Sequence, residues 1–172
     1  MIVKSNLKNI SLFPFRLETL YANDLGISEI SFPETETNSR SDLFPKLKLL
    51  SINENRINNW SSVNELVKLA SLEELIFKFN PLNASDSLEN VRQLIVAKLQ
   101  NLTMLNRTKI LPAERKGSDI DYIKKFGKAW FELEAPQATV DQMEMVEKRK
   151  AFHSEHPSYA KLIESQCCLV TY

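Results

Sequence analysis

The segment from Leu47 to Leu82 reads LKLLSINENRINNWSSVNELVKLASLEELIFKFNPL and contains one eleven-residue frame twice. In both copies, apolar residues hold positions one, four, six and eleven, and an asparagine holds position nine. Because each of these positions keeps its residue type, the segment is interpreted as two copies of one structural unit. In order, the residues are Leu47, Leu50, Ile52, Asn55 and Ile57, then Leu72, Leu75, Phe77, Asn80 and Leu82.

The spacing of the frame predicts a short strand followed by a turn in each copy. Side chains alternate across a strand, so positions four and six point to the same inner face. An asparagine at position nine can bond to backbone groups that the turn leaves unpaired, and it tolerates turn geometry. Each coil has one apolar face and needs neighbours to bury it. The pattern L-x-x-L-x-L-x-x-N-x-L therefore predicts leucine-rich repeats, an α/β solenoid with parallel strands on its concave side and helices or loops outside.

Two weaker copies of the frame flank the central pair. The upstream copy has Leu25 in place of the asparagine, and the downstream copy has Arg107 where an apolar residue is expected. The frames begin at residues 17, 47, 72 and 102, and these steps leave room for a helix outside each coil. Four accidental leucine clusters are the disfavoured alternative, because both central copies match fully. The fitting residues of the weaker copies are Leu17, Leu20, Ala22 and Ile27 upstream, with Leu102 and Leu105 downstream.

Apolar periodicity predicts helices on the outside of the coils. The first is expected from Asn59 to Ala70, with Ser62 and Glu65 as a capping box. Ser85 or Asp86 is expected to cap the second helix. The residues expected on the inner side of these helices are Val63, Leu66 and Val67 in the first and Leu88, Val91, Leu94 and Ile95 in the second.

After residue 106 the repeat stops and a helical cap is predicted. A helix of roughly Ala113 to Glu132 should cover the open end of the last coil, and a second should run from Asp141 to about Glu155, before Pro157. We therefore expect repeats over 1–110, a cap over 111–166 and a tail over 167–172. The repeats are expected to start inside a longer array, because nothing before residue 17 resembles a cap. The apolar residues assigned to the cap are Ile120, Ile123, Phe126, Trp130, Tyr159, Leu162 and Ile163.

Composition narrows the possible functions. Lys plus Arg equals Asp plus Glu at 22 each among 172 residues, and this balance argues against a nucleic-acid or anionic-membrane module. The only cysteines, Cys167 and Cys168, are adjacent, so we expect no disulfide framework and a reducing, cytoplasmic compartment. No nucleophile elbow, phosphate loop or zinc pattern occurs, so we expect no enzyme activity, cofactor or metal. His153 and His156 are three residues apart, but a helix end with locally bonded imidazoles is favoured over a metal site.

Positions three, five and seven of each frame should face away from the core, toward the concave side. Leu49, Ile76 and Met104 are expected to form an apolar strip there, and such groups rimmed by polar ones often mark a partner site. Coverage by a loop, or scattered surface residues, is the equally weighted alternative. The predicted partner-binding residues are Tyr21, Asn23, Leu49, Ser51, Asn53, Glu74, Ile76, Lys78 and Met104; Thr19 and Asn106 extend the same rows.

From Leu17 to Leu162 the chain resembles the tubulin-specific chaperone E family, also called tubulin-folding cofactor E. The matching segments are FPKLKLLSINENRINNWSSVNELVKLASLEEL from Phe44, NPL from Asn80, LTMLNRTKILPAERKGSDIDYIKKFGKAW from Leu102, and AFHSEHPSYAKL from Ala151. The resemblance implies the C-terminal part of that family's leucine-rich-repeat domain with its cap.

By the same resemblance we expect a non-enzymatic, cytoskeleton-associated module of the cytoplasm. It implies binding of α-tubulin while the tubulin heterodimer is assembled or taken apart, alongside the other tubulin-folding cofactors. Two alternatives remain: a spacer that orients flanking domains, or an unrelated repeat adaptor, for example of a motor or splicing complex. The cap motif argues against the unrelated adaptor.

Overall fold

Short parallel strands stacked in chain order form the centre of the molecule. The computed structural model describes residues 16–32, 44–84, 86–134 and 142–167. Residues at the same frame position pair across neighbouring parallel strands, as predicted. The α/β solenoid of leucine-rich repeats is therefore confirmed. The parallel strands are β1 (Thr19–Tyr21), β2 (Leu49–Ser51), β3 (Glu74–Ile76) and β4 (Met104–Leu105); β5 (Thr108–Lys109) pairs antiparallel with β4.

One apolar interior lies behind the strands. Leu50 and Leu75 pair across β2 and β3, and both are buried together with Ile52 and Phe77 in a single cluster. Leu105 extends the same cluster into the fourth coil. Burying such a side chain contributes about 1.5–3 kcal/mol relative to leaving it exposed, so the shared interior is what holds the coils together.

The two frame asparagines join each coil to the one before it. The Asn55 amide oxygen accepts bonds from the backbone N–H groups of Leu25 (3.1 Å) and Ile27 (3.0 Å), and its nitrogen donates to the Ala22 carbonyl (2.8 Å). Asn80 repeats the arrangement one coil later, donating to the Ile52 carbonyl at 3.0 Å. The predicted turn role of asparagine is confirmed: each amide also donates to a carbonyl of its own turn, at Asn53 (3.0 Å) and Lys78 (3.3 Å), and its other bonds reach the preceding coil.

The first outer helix is shorter than expected and is capped differently. Helix α1 (Trp60–Glu65) is followed by a 3-10 turn (Leu66–Lys68), and its cap is Asn59, whose side chain accepts from the Ser62 N–H at 2.9 Å. The predicted capping box is therefore wrong. Ser62 and Glu65 instead accept bonds from the preceding coil, from the N–H groups of Ile30 (3.0 Å) and Phe32 (2.7 Å).

The second outer helix also differs from its prediction at the N-terminus. A 3-10 turn (Pro81–Ala84) precedes helix α2 (Leu88–Lys98), and the cap is Ser87 rather than Ser85 or Asp86. Leu88 was expected to face inward, but it is 74% exposed. It is the first residue of the helix. Val91 and Ile95 are buried in the repeat interior as predicted, and Leu94 packs against the cap.

Three helices follow the last coil. Helices α3 (Pro112–Glu134) and α4 (Gln142–Glu155) match the two predicted helices, a third helix α5 (Tyr159–Cys167) follows them, and α3 packs along α2. A second apolar cluster forms between them, in which the large buried residues are Tyr122, Phe152, Tyr159 and Leu162. Of the predicted stripe, Ile123, Phe126 and Trp130 pack against this cluster, whereas Ile120 is half-buried outside it. Tyr122, buried more deeply than any of them, was missed.

Some predictions fall outside the described residues. They are the start of the repeats before Leu17 and the end of the tail. Ser85 also lies outside. Over the described ranges, no helix is both long enough and apolar enough to span a membrane. The division into repeats over 1–110 and a cap over 111–166 stays a prediction.

Candidate protein-binding surface

Two rows of side chains cross the concave face of the sheet. Leu49 pairs with Glu74, which pairs with Met104, and these residues form the row at position three. Tyr21 and Ile76 each pair with Ser51 from opposite sides and form the row at position five. Alternation along the strands places both rows on the face opposite Leu50 and Leu75. We call this face, with the position-seven residues Asn23, Asn53 and Lys78, the concave surface.

The side chains of the concave surface differ widely in exposure. Tyr21 is 59% exposed, and Asn23 and Lys78 are also exposed. Leu49, Asn53, Glu74 and Met104 are half-buried, whereas Ser51 is 1% and Ile76 5% exposed. The expected apolar strip is therefore not continuous: Glu74 separates Leu49 from Met104, and Ile76 offers almost no area. Ser51 and Ile76 lie on the inner strands β2 and β3, whereas the exposed Tyr21 lies on β1 at the edge of the sheet.

Position-seven asparagines hold the ends of the strands. The Asn23 amide oxygen accepts bonds from the Ser51 hydroxyl and the Asn53 N–H, both at 2.8 Å. The Asn53 amide oxygen in turn accepts from the Lys78 N–H at 2.8 Å. These bonds fix the spacing of the coils, so Asn23 and Asn53 act first as structural groups. The concave surface is therefore held rigidly.

The charges on the concave surface are mixed. Glu74 lies 3.6 Å from the Arg107 guanidinium, and Glu18 lies 3.9 Å from the Lys48 ammonium at the entry to the strands. The Glu18–Lys48 pair is exposed on both sides, and such pairs contribute about 1 kcal/mol or less to stability. The surface beside the ring of Tyr21 therefore carries charges of both signs, and an aromatic group with polar surroundings is compatible with a protein–protein interface.

A groove opens at the edge of the concave surface, where the last coil ends. Its volume is about 460 Å³, and Lys78 belongs both to its lining and to the concave surface. Sequence reasoning missed it, although Phe79 at position eight, where the earlier frames have Asp24 and Glu54, was a visible signal. We call it the edge groove; its apolar lining includes Phe77, Phe79, Leu88, Val91, Ile95 and Leu105.

A buried lysine joins the cap to the coils. The Lys98 ammonium donates to the Asn64 amide oxygen (2.9 Å) and to the Glu155 carbonyl (2.5 Å), which is the last carbonyl of α4. A cation is favourable at the C-terminus of a helix. Burial lowers the pKa of Lys98 to about 8, and the charge of Glu155 partly opposes this. The group is therefore a costly buried charge that is compensated by carbonyl and amide oxygens.

The two histidines have different surroundings. His153 is exposed, whereas His156 is buried, and its Nδ1 shares a 2.6 Å hydrogen bond with the Tyr122 hydroxyl. Burial, and secondarily the charge of Lys98, lower the pKa of His156 to about 4, so the imidazole is neutral at pH 7. Within the described ranges, no group of three or more His, Cys, Asp or Glu side chains is placed to hold a metal ion.

Two arginines fasten the start of the cap helix to the last coil. Arg115 donates to the carbonyls of Val96, Leu99 and Leu102. Arg92 forms a bidentate pair with Glu114, at 2.6 and 3.2 Å, and this bond lowers the pKa of the Glu114 carboxyl. Bidentate arginine bonds are strong and directional, so α3 is held in one orientation.

Comparison with known proteins connects this architecture with one family. The chain is 40% identical over 168 residues to mouse tubulin-specific chaperone E, and the match covers 97% of the chain. It is 45% identical over 129 residues to the rat protein of that name and 44% over 116 residues to the human one, covering 75% and 67% of the chain. The chain spans 22–30% of the length of these relatives. No protein-family model matches it.

Among solved structures, the Drosophila melanogaster SNF/U2A' complex contains a similar chain. The TM-score is 0.58 at 25% sequence identity, over 74% of this chain and 67% of that one. The similarity concerns the leucine-rich-repeat fold, whereas the sequence similarity to the chaperones is higher.

Proposed function

This chain is related to one segment of the tubulin-specific chaperone E family, and on that premise we propose that it is a non-enzymatic protein-binding module whose partner is α-tubulin. It binds α-tubulin during assembly or disassembly of the tubulin heterodimer, in the cytoplasm and together with the other tubulin-folding cofactors. The relatives' shared name supports tubulin as the protein they serve. Because the chain spans at most 30% of their length, its own part in that work is the proposal.

The observation that carries the proposal is the rigid register of the concave surface. Paired strand positions present Tyr21, Leu49 and Met104 on one wall, and asparagine bonds at the strand ends keep the coils at fixed spacing. A preorganised surface loses little conformational entropy when it binds. Exposed Tyr21 supplies an aromatic group of the kind enriched at protein interfaces, and exposed Lys78 supplies a charge that can pair with a carboxylate of the partner.

The double variant Tyr21→Ala/Lys78→Glu tests the proposal. Both side chains are exposed, so the coils should stay folded while affinity for purified αβ-tubulin falls by about tenfold or more in biolayer interferometry. Ile76 is unsuitable for such a test, because an acidic residue at a 5% exposed position would unfold the repeat.

A matched control is available on the cap. Phe131→Ala/Lys124→Glu removes an exposed aromatic ring and reverses an exposed lysine on α3, far in sequence from the strands. The control should bind tubulin like the unmodified chain. Equal binding by the concave variant and the unmodified chain would contradict the proposed surface.

A spacer role remains the second candidate, and the burial of Ser51 and Ile76 favours it by reducing the contact area of the concave surface. A spacer would show no affinity for tubulin as an isolated chain, with or without substitutions. The unmodified chain in the same assay therefore separates the two functions.

A further inference from the structure

In each of the first three coils, one residue after the strand has a left-handed backbone conformation. In the third coil this residue is a phenylalanine, which is unusual there. Position eight of the frame has a φ of 53° at Asp24, 56° at Glu54 and 56° at Phe79. Asparagine and aspartate tolerate this conformation, whereas a bulky side chain there is a genuine outlier. Burial does not compensate the strain, because 75% of Phe79 is exposed. Strained, exposed residues are commonly retained for function.

Phe79 stands beside the edge groove because the coil series ends there. After Asn106 the chain reverses into the antiparallel strand β5, with positive φ at Asn106 (55°) and Arg107 (66°). The Asn106 amide oxygen accepts from the Phe77 N–H at 2.7 Å, but the fourth frame has Ile110 rather than an asparagine at position nine, and Phe79 in the turn of the third coil stays exposed. The groove between that turn and α2 is the consequence, and its size is in the range that receives ligands or several partner side chains.

A second large apolar side chain lines the same groove. Leu88, the first residue of α2, is 74% exposed. The first turn of a helix and a strained turn residue thus both present apolar groups to solvent around one concavity. An exposed aromatic ring and an exposed leucine beside one concavity form an apolar surface of the kind that often marks a protein-binding site.

The charges in the groove indicate what its occupant carries. Among the residues that the structure describes, the lining contains Lys78 and Arg92 and no acidic side chain. The Arg92 charge is compensated by Glu114, so the exposed Lys78 ammonium is the positive charge that meets an incoming group. Lys78 also belongs to the concave surface, which makes the groove continuous with the proposed interface.

We propose that the edge groove is a specificity pocket that receives an apolar side chain of the protein partner flanked by a carboxylate. The apolar side chain packs between Phe79 and Leu88, and the carboxylate meets Lys78. The assignment rests on the proposed function in one respect: the partner that fills the groove is the one that docks on the concave surface.

Phe79→Asn gives the sharpest test, because binding and stability should move in opposite directions. Asparagine suits the left-handed backbone, so the urea midpoint should stay equal or rise. Affinity for αβ-tubulin should fall by about tenfold or more, and Leu88→Gln should act in the same direction. Phe131→Gln, at an equally exposed aromatic position on α3, is the control and should bind normally. Normal tubulin binding by Phe79→Asn would overturn the proposal and leave the concave surface in place.

The chemistry of the groove can be tested without tubulin. The dye 8-anilinonaphthalene-1-sulfonate is apolar and anionic, and N-phenyl-1-naphthylamine has the same rings without the sulfonate. The unmodified chain should bind the anionic dye more tightly than the neutral one, and Lys78→Glu should remove that preference. Phe79→Asn should weaken the binding of both dyes. Unchanged dye affinities in the Phe79→Asn and Lys78→Glu variants would overturn the proposal.

Two further outcomes are distinguishable. If the chain bound no tubulin but dye binding still required Phe79 and Lys78, the proposed function would fail and the assigned ligand chemistry would stand. If the unmodified chain sedimented as a dimer and Phe79→Asn as a monomer, a second copy would be the occupant. That result would refute a partner-derived side chain.

Discussion

Replacing Asn55 with alanine should destabilise the coils more than any surface substitution. The Asn55 side chain is 5% exposed and bonds to the backbone of the preceding coil at Ala22, Leu25 and Ile27. Alanine can replace none of these bonds. The perturbation therefore separates the two coils at their turns without changing the apolar interior.

The magnitude follows from which backbone groups lose their partner. The bonds to Ile27 and Ala22 are buried, whereas Leu25 lies near solvent and water can replace the lost acceptor. Each buried group left unsatisfied costs about 1–3 kcal/mol, so the loss of two such partners should cost about 2–6 kcal/mol. A domain has a total stability of about 5–15 kcal/mol, so the variant should still fold.

Urea unfolding followed by the fluorescence of Trp60, which packs against the repeat core, measures this loss. Asn58→Ala is the control, because Asn58 is an exposed asparagine of the same turn and should change the free energy of unfolding by about 0.5 kcal/mol or less. A loss below about 1 kcal/mol for Asn55→Ala would refute the reasoning that asparagine bonds join the coils.

Two further predictions concern the cap. The pKa of His156 is lowered to about 4 in the folded chain, so the unfolded chain binds more protons between pH 6.5 and 4. The free energy of unfolding should therefore fall by up to about 3 kcal/mol as the pH falls across that window. Urea titrations at successive pH values measure this dependence, and His156→Gln should flatten it. A pH profile unchanged by His156→Gln would contradict this. Arg115→Ala should cost about 3 kcal/mol, because three carbonyls lose a charged donor, and Arg115→Lys should recover only part of it; full recovery by lysine would argue against the forked geometry.

The stacking of the coils could be predicted from the sequence because it depends on a local, repeated pattern. Positions four, six and nine of the frame determine which side chains point inward and where the chain turns, and Leu50, Leu75, Asn55 and Asn80 all occupy the predicted places. Which side chains of a strand share a face follows from the strand's own sequence, without information about the neighbouring coils.

Exposure could not be predicted in the same way, because it depends on which coil comes next. Ile76 occupies a concave position but is covered within the sheet, whereas Phe79 and Leu88 are exposed because no coil turn follows theirs in the described part of the chain. Helix caps were mispredicted for a different reason. Several Ser, Asn and Asp residues precede each helix, and any of them can bond to the first-turn N–H groups, so Asn59 and Ser87 could be identified only from coordinates.

Site-specific photo-crosslinking gives the most direct test of the claim that the concave surface binds α-tubulin. A benzophenone amino acid would replace Tyr21 on the concave surface and, in a separate variant, Phe131 on the cap; both positions are largely exposed. After irradiation with αβ-tubulin, mass spectrometry should find α-tubulin peptides attached at position 21 and none at position 131. Crosslinks that form equally at both positions, or none at position 21, would contradict the account.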